Sequence, residues 1–150
     1  MSYDLMVFDP EAAPRGHREF LSWFLSEMEA DDGICYMDSA IATEPLRTWY
    51  REITKLFPSL NGPDGKDELP EDEACACDYS IGKHAIYACF AWSKVEPAYR
   101  AVFELAAKHK VGFFNVSSNE EEVWLPSERG LVLAHKRGLL DRIGRIFGRR

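Results

Sequence analysis

The sequence has no run of about eighteen apolar residues, the shortest run that reads as a membrane-spanning helix. Its first residues, MSYDLMVFDPEAAP, also lack the basic start and the long apolar stretch of a secretion signal, because Asp4 and Asp9 stand there. From these two absences we predict a cytoplasmic protein that binds no membrane.

Local motifs of catalysis are absent as well. The chain has no Gly-x-Ser-x-Gly, no phosphate-binding glycine loop and no His-Glu-x-x-His, and its four histidines form no paired ligand motif. Cys75 and Cys77 lack the two-residue gap and the second ligand pair of a structural zinc site. We therefore predict no catalytic residue, no cofactor site and no metal site, in a protein that is not an enzyme.

Cysteine is scarce. Four cysteines in a chain predicted to be cytoplasmic indicate reduced thiols rather than a disulfide framework. Stability must then come from the burial of apolar side chains. A chain of 150 residues, of which 46% are hydrophobic, can bury one core, so we predict a single domain over residues 1–150.

Negative charge is abundant and unevenly distributed. The formal net charge is −7, and residues 130–150 contribute +5 through six basic side chains and Asp141, which leaves −12 for residues 1–129. Such a body repels phosphates, so we predict that it does not bind nucleic acid. A protein partner with a basic surface is the natural complement.

The segment NGPDGKDELPEDEACACD, residues 61–78, contains seven acids and one lysine. A calcium loop that starts at Asp64 would need glycine at its sixth position and glutamate at its twelfth, where the chain has Leu69 and Cys75. The pattern therefore favours contact with a basic partner over ion binding. A second acidic run follows at residues 120–122. The predicted partner-binding residues of the two runs are Asp64, Asp67, Glu68, Glu71, Asp72, Glu73, Glu120, Glu121 and Glu122.

The apolar pattern changes several times between the strand period and the helix period. It predicts a strand at 3–8, helices at 15–30 and 43–57, a hairpin at 77–92, a helix from Ser93, a hairpin at 111–126 and a last helix at 135–148. Paired strands separated by helices indicate the α+β class. We expect an antiparallel or mixed sheet of about five strands, covered by helices on one face, in a somewhat ferredoxin-like arrangement.

Two details concern the surface. Strand alternation through residues 85–92 places Trp92 on the same side as Phe90, and we expect most of the tryptophans in the core, whereas Tyr79 and Tyr87 beside the turn should be partly exposed. Residues 127–150 are predicted to contain a basic amphipathic helix that docks onto the body, residues 1–126.

Four phrases of the sequence carry a resemblance to a known family: MSYDLMVFDPEAAP, FPSLNGP, DYSIGKHAIYACFAWS and AAKHKVGFFNVSS. Together they resemble a family of small bacterial proteins, several of which look like cognate immunity proteins of secreted antibacterial toxins of the polymorphic, contact-dependent or type VI kinds. The resemblance covers residues 1–126 and brings no catalytic residues with it.

This resemblance implies an immunity protein that binds and neutralises its toxin, by occluding the toxin's active site with an acidic surface. Charge complementarity would accelerate such an association and disfavour other partners. Two alternatives stay open. One is a metal-dependent hydrolase that uses acids of the 64–78 stretch together with Asp78, and the other is a regulatory module with a small-ligand pocket between the sheet and its helices.

Overall fold

A six-stranded antiparallel sheet lies at the centre of the computed structural model, which describes residues 2–29, 38–60 and 70–137. The strands are arranged in the order β2-β3-β1-β4-β5-β6. Their bounds are β1 Tyr3–Phe8, β2 Asp78–Ile81, β3 Ala85–Phe90, β4 Gly112–Phe114, β5 Val123–Ser127 and β6 Gly130–His135. The helices among the described residues are α1 His17–Glu29, α2 Glu44–Leu56 and α3 Val95–His109.

The predicted α+β class is confirmed, and the sheet is antiparallel throughout. Thr43 and Pro45 mark the start of α2, which begins at Glu44 as their pattern predicts. The elements β1, α2, β2, β3, α3 and β4 follow the β-α-β-β-α-β order of the split βαβ motif. The ferredoxin-like arrangement is compatible with this order and stays a prediction.

Helices cover both faces of the sheet, so the expectation of helices on one face is wrong. Along the central strand β1, Leu5 and Val7 pack in a core with α2 and α3, whereas Met6 and Phe8 pack in a second core with α1. Because the side chains of a strand point alternately to the two faces of the sheet, a strand with a hydrophobic core on each face is apolar almost throughout. That is the composition of YDLMVF, in which Asp4 is the one acid.

The C-terminal part of the described chain differs from its prediction. Residues 127–137 contain no helix: β5 ends at Ser127, Gly130 turns the chain with a φ of 114°, and β6 runs antiparallel to β5 as far as His135. The sheet therefore has six strands, where about five were predicted. The sixth forms because glycine permits this tight turn and the apolar run LVL that follows it can extend the sheet. Residues 138–150 of the predicted helix lie outside the described residues.

None of the three helices that the structure describes is long and apolar enough to cross a bilayer.

Helices α2 and α3 are joined by a carboxylate that bridges their surfaces. Glu52 accepts hydrogen bonds from Lys108 Nζ at 2.7 Å and from His109 Nε2 at 2.5 Å. Those hydrogen bonds lower the pKa of Glu52 from 4.5 to about 2.

Replacing Glu52 by glutamine is expected to make the protein less stable at neutral pH by an amount that shrinks in acid. The pKa of Glu52 is lowered in the folded state, so its contribution is present above pH 4.5 and is lost as the pH falls toward 2. Urea unfolding of the wild type and of Glu52→Gln at several pH values tests this, with Glu104→Gln on the exposed face of α3 as control. A stability difference that does not change between pH 7 and pH 2 would contradict the assignment.

Candidate functional site

A half-exposed tryptophan marks the end of the sheet at which β3 leads into α3. Strand β3 ends at Phe90, and the chain then forms a short 3-10 turn, Trp92–Lys94. The Trp92 side chain is 50% exposed and packs one side of its ring against Tyr3, with ring centroids 5.4 Å apart. A large aromatic side chain held in place yet open to solvent is typical of an anchor at a protein interface.

The acidic stretch reaches the same place. A second 3-10 turn, Glu73–Cys75, contacts the Trp92–Lys94 turn. Asp72 joins the two turns, because its carboxylate pairs with Lys94 Nζ at 2.6 Å and accepts a hydrogen bond from the Ala74 backbone N–H at 3.1 Å. The pKa of Asp72 is lowered by the hydrogen bond from Lys94 and then by that from Ala74.

The far end of this turn is fixed to the body. The backbone N–H of Cys77 donates to the Pro58 carbonyl at 2.9 Å, and the Leu60 N–H donates to the Cys77 carbonyl at 2.9 Å. The Cys77 thiol is buried, as expected for a cysteine that packs into the sheet, and burial raises its pKa well above its usual range. A thiol that stays protonated is neither a nucleophile nor a ready metal ligand.

A further carboxylate, that of Glu122, acts on Tyr3, the residue whose ring contacts Trp92. The pKa of Tyr3 rises to about 12, mainly through burial and then through the nearby Tyr99 and the negative charge of Glu122. Glu122 also accepts a hydrogen bond from Trp124 Nε1 at 3.3 Å. We call the group formed by Trp92, Glu71, Asp72, Glu73 and Glu122 the Trp92 surface.

The predicted partner-binding residues are thus divided. Glu71, Asp72 and Glu73 are exposed at the start of the turn that contacts the Trp92–Lys94 turn, and Glu122 acts on Tyr3. Glu120 and Glu121 lie in the β4–β5 loop, where the Glu120 carbonyl accepts from the Arg137 N–H and the Glu121 side chain, 16% exposed, pairs with Arg137 and His17. Asp64, Asp67 and Glu68 lie outside the described residues.

Trp92 itself is absent from the predicted set because strand alternation was extended two residues too far. The strand stops at Phe90, and the turn that begins after Ala91 carries Trp92 out of the core. Tyr79 is likewise misplaced: it is 2% exposed, and its hydroxyl donates to the Phe57 carbonyl at 2.7 Å. Tyr87 is partly exposed as expected.

A groove of about 530 Å³ opens at the C-terminal end of α2, and no residue of the Trp92–Lys94 turn lines it. Its lining combines two cationic side chains with several hydroxyls: Ser39, Tyr50, Arg51, Thr54, Lys55, Pro58 and Ser59. Among the residues that the structure describes, no group of three or more histidine, cysteine, aspartate or glutamate side chains is arranged to hold a metal ion.

Comparison with known proteins finds no relative. No protein-family model, no curated protein and no solved structure matches the chain. The resemblance of residues 1–126 to immunity proteins therefore stays a prediction.

Proposed function

We propose that this protein is a cytoplasmic immunity protein, which binds a cognate antibacterial toxin through the Trp92 surface and neutralises it without chemistry of its own. The observation that carries the proposal is a half-exposed tryptophan beside a turn with three acidic side chains. Interfaces concentrate their binding energy in a few aromatic or arginine anchors, surrounded by contacts that exclude water. Trp92 is suited to be such an anchor.

The charge around Trp92 indicates the chemistry of the partner. Glu71 and Glu73 are exposed, and the chain from 1 to 129 carries a formal charge of −12. A toxin that acts on nucleic acid or nucleotides needs a basic cleft to hold phosphates, and an acidic surface is complementary to that cleft. Such complementarity raises the association rate and disfavours partners without a basic patch.

Rigidity of the surface also favours tight binding. Asp72 is held by Lys94 and by the Ala74 N–H, and Cys77 is paired with the segment 58–60. The backbone that presents Glu71 and Glu73 is therefore ordered before a partner arrives. A preorganised surface loses less conformational entropy on binding, which leaves more of the contact energy as affinity.

The alternatives have weaker support. A hydrolase that uses Asp78 would have to build its site around an exposed residue at the start of β2, paired in register with Cys89. The pKa of that thiol is raised to about 11, chiefly by burial, so it is not poised as a nucleophile. A ligand-binding module would use the groove lined by Arg51 and Lys55, whose positive charges suit a small anion and not a partner with a basic surface.

Co-expression with the product of the neighbouring gene tests the proposal. We expect that product to stop the growth of a host cell when expressed alone, and growth to be restored when this chain is produced beside it. A catalytically dead toxin variant serves as the control for expression burden. Equal killing with and without this chain, or a neighbour that is not toxic, would refute the immunity function.

A further inference from the structure

Two histidines that are 118 positions apart in sequence meet at the C-terminal end of the described chain. His17 is the first residue of α1 and His135 is the last residue of β6. Their Nδ1 atoms are 2.6 Å apart, and the two rings lie nearly perpendicular, at 81°. At that distance one nitrogen must donate a proton to the other, because two lone pairs or two N–H groups would repel.

A carboxylate and a guanidinium fix the histidine pair from one side. His17 Nε2 lies 3.0 Å from Glu121 Oε2, and the Arg137 guanidinium pairs with the other oxygen of Glu121. Glu121 has a φ of 52°, an uncommon conformation for a residue other than glycine and one that such a contact network can hold. The side chains of His17 and Arg137 are 16% and 19% exposed, so the cluster is largely shielded from water.

The tautomers follow from the chemistry of these partners. The Glu121 carboxylate, paired with Arg137, only accepts hydrogen bonds, so His17 must carry its proton on Nε2. The Nδ1 atom of a neutral His17 then bears a lone pair and accepts. His135 must therefore donate from Nδ1, which leaves the lone pair of a neutral His135 on Nε2.

From this arrangement we infer that the His17–His135 contact is an acid-sensitive latch that fastens the end of β6 to the first turn of α1. A first added proton can settle on His135 Nε2 and leave the contact intact. A second proton must take the lone pair of His17 Nδ1. Two N–H groups then face each other across 2.6 Å, and the contact has to open.

The surroundings of the latch set the sign of its pH response. Burial lowers the pKa of His135, and the neighbouring His17 lowers it further. Other charged groups close to the latch residues in the chain are Arg18 and Glu19 in the first turn of α1, Glu120 and Glu122 on either side of Glu121, and Lys136 beside β6. Because the pKa of His135 is lower in the folded state, the unfolded chain binds more protons. The contribution of the latch to the free energy of unfolding is therefore fully present above about pH 6.5 and decreases as the pH falls below that value.

The tautomers are directly measurable. A long-range nitrogen–proton NMR spectrum of the ¹⁵N-labelled full chain at pH 7.5 is expected to show His17 with its proton on Nε2 and His135 with its proton on Nδ1. The Nδ1–H form is the less common one for histidine in water, so its appearance at His135 would support the latch. A His135 ring protonated mainly on Nε2 would overturn it.

Hydrogen exchange tests the opening. Corrected for intrinsic rates, the amides of residues 131–135 should lose protection in a step as the pH falls from 7.5 to 4.5. In His17→Gln the amide can still donate to Glu121 but cannot titrate, so the step should disappear; in His84→Asn, a control outside the cluster, it should remain.

His135→Asn, which keeps a donor near the position of Nδ1, serves as a second variant if His17→Gln does not fold, and it should also lack the step. A step of unchanged size in either cluster variant, or no step in the wild type, would rule out the latch.

Discussion

Replacing Gly112 by alanine is expected to lower the free energy of unfolding by about 2–3 kcal/mol. Gly112 begins β4 and pairs with Phe8 of β1, and an added Cβ would lie inside the van der Waals surface of the Phe8 ring. That ring cannot move aside. It is fully buried, with the rings of Phe20 and Trp23 at centroid distances of 5.0 and 5.9 Å.

Guanidinium unfolding at pH 7 measures the effect, and a fall in the thermal midpoint of about 5–10 °C should accompany it. Gly16→Ala is the matched control. Its Cβ would also meet a neighbouring side chain, but that neighbour is the carboxylate of Glu19, an exposed and flexible group that can rotate away. Equal destabilisation by the two substitutions would show that the Phe8 ring is not confined as described.

Replacing Trp92 by alanine is expected to weaken binding of the cognate toxin by about 2 kcal/mol or more, which is about 30-fold in Kd. The reason is that Trp92 offers a large exposed aromatic surface beside the acidic turn, and half of its surface is exposed in the folded protein, so its truncation costs less folding energy than that of a buried tryptophan. Titration calorimetry of the purified pair measures the change. Leu25→Ala, at an exposed leucine of α1, removes apolar surface elsewhere and should leave the Kd unchanged.

The acids beside Trp92 should act mainly on the rate of association. Reversing Glu71 and Glu73 to lysine is expected to slow the association and to flatten its dependence on salt, because electrostatic steering is screened by ions. The double reversal Glu29→Lys and Glu44→Lys, at exposed positions on α1 and α2, changes the net charge equally and should have the smaller effect. Equal effects would mean that overall charge, not this surface, guides the encounter.

Much of the fold could be predicted because its signals are local. The short apolar run in YDLMVF, the Thr43-Pro45 start of α2 and the glycine-containing turn between β2 and β3 each specify an element within a few residues. The β5–β6 hairpin has such a signal too, in Gly130 and the apolar run after it. The prediction misses this hairpin because the basic, leucine-rich residues that follow it favour a helix, so that residues 127–150 are assigned together to the C-terminal helix.

The candidate site was harder to predict, since its parts meet through the tertiary structure. Acidic composition points to Glu71, Asp72 and Glu73, but strand alternation alone predicts a core position for Trp92, whose turn contacts theirs. Contacts such as that between Asp72 and Lys94 join segments twenty or more residues apart and leave no local pattern. The His17–His135 pair lay beyond any such pattern for the same reason.

Binding of a toxin at the Trp92 surface can be tested by the survival of cells that produce the protein encoded by the neighbouring gene. The cells carry either the wild-type chain or a variant with Trp92→Ala, Glu71→Lys and Glu73→Lys. We expect the wild type to protect them and the variant, shown by circular dichroism to be folded, not to protect them. Full protection by the folded variant would show that the Trp92 surface is not where the toxin binds.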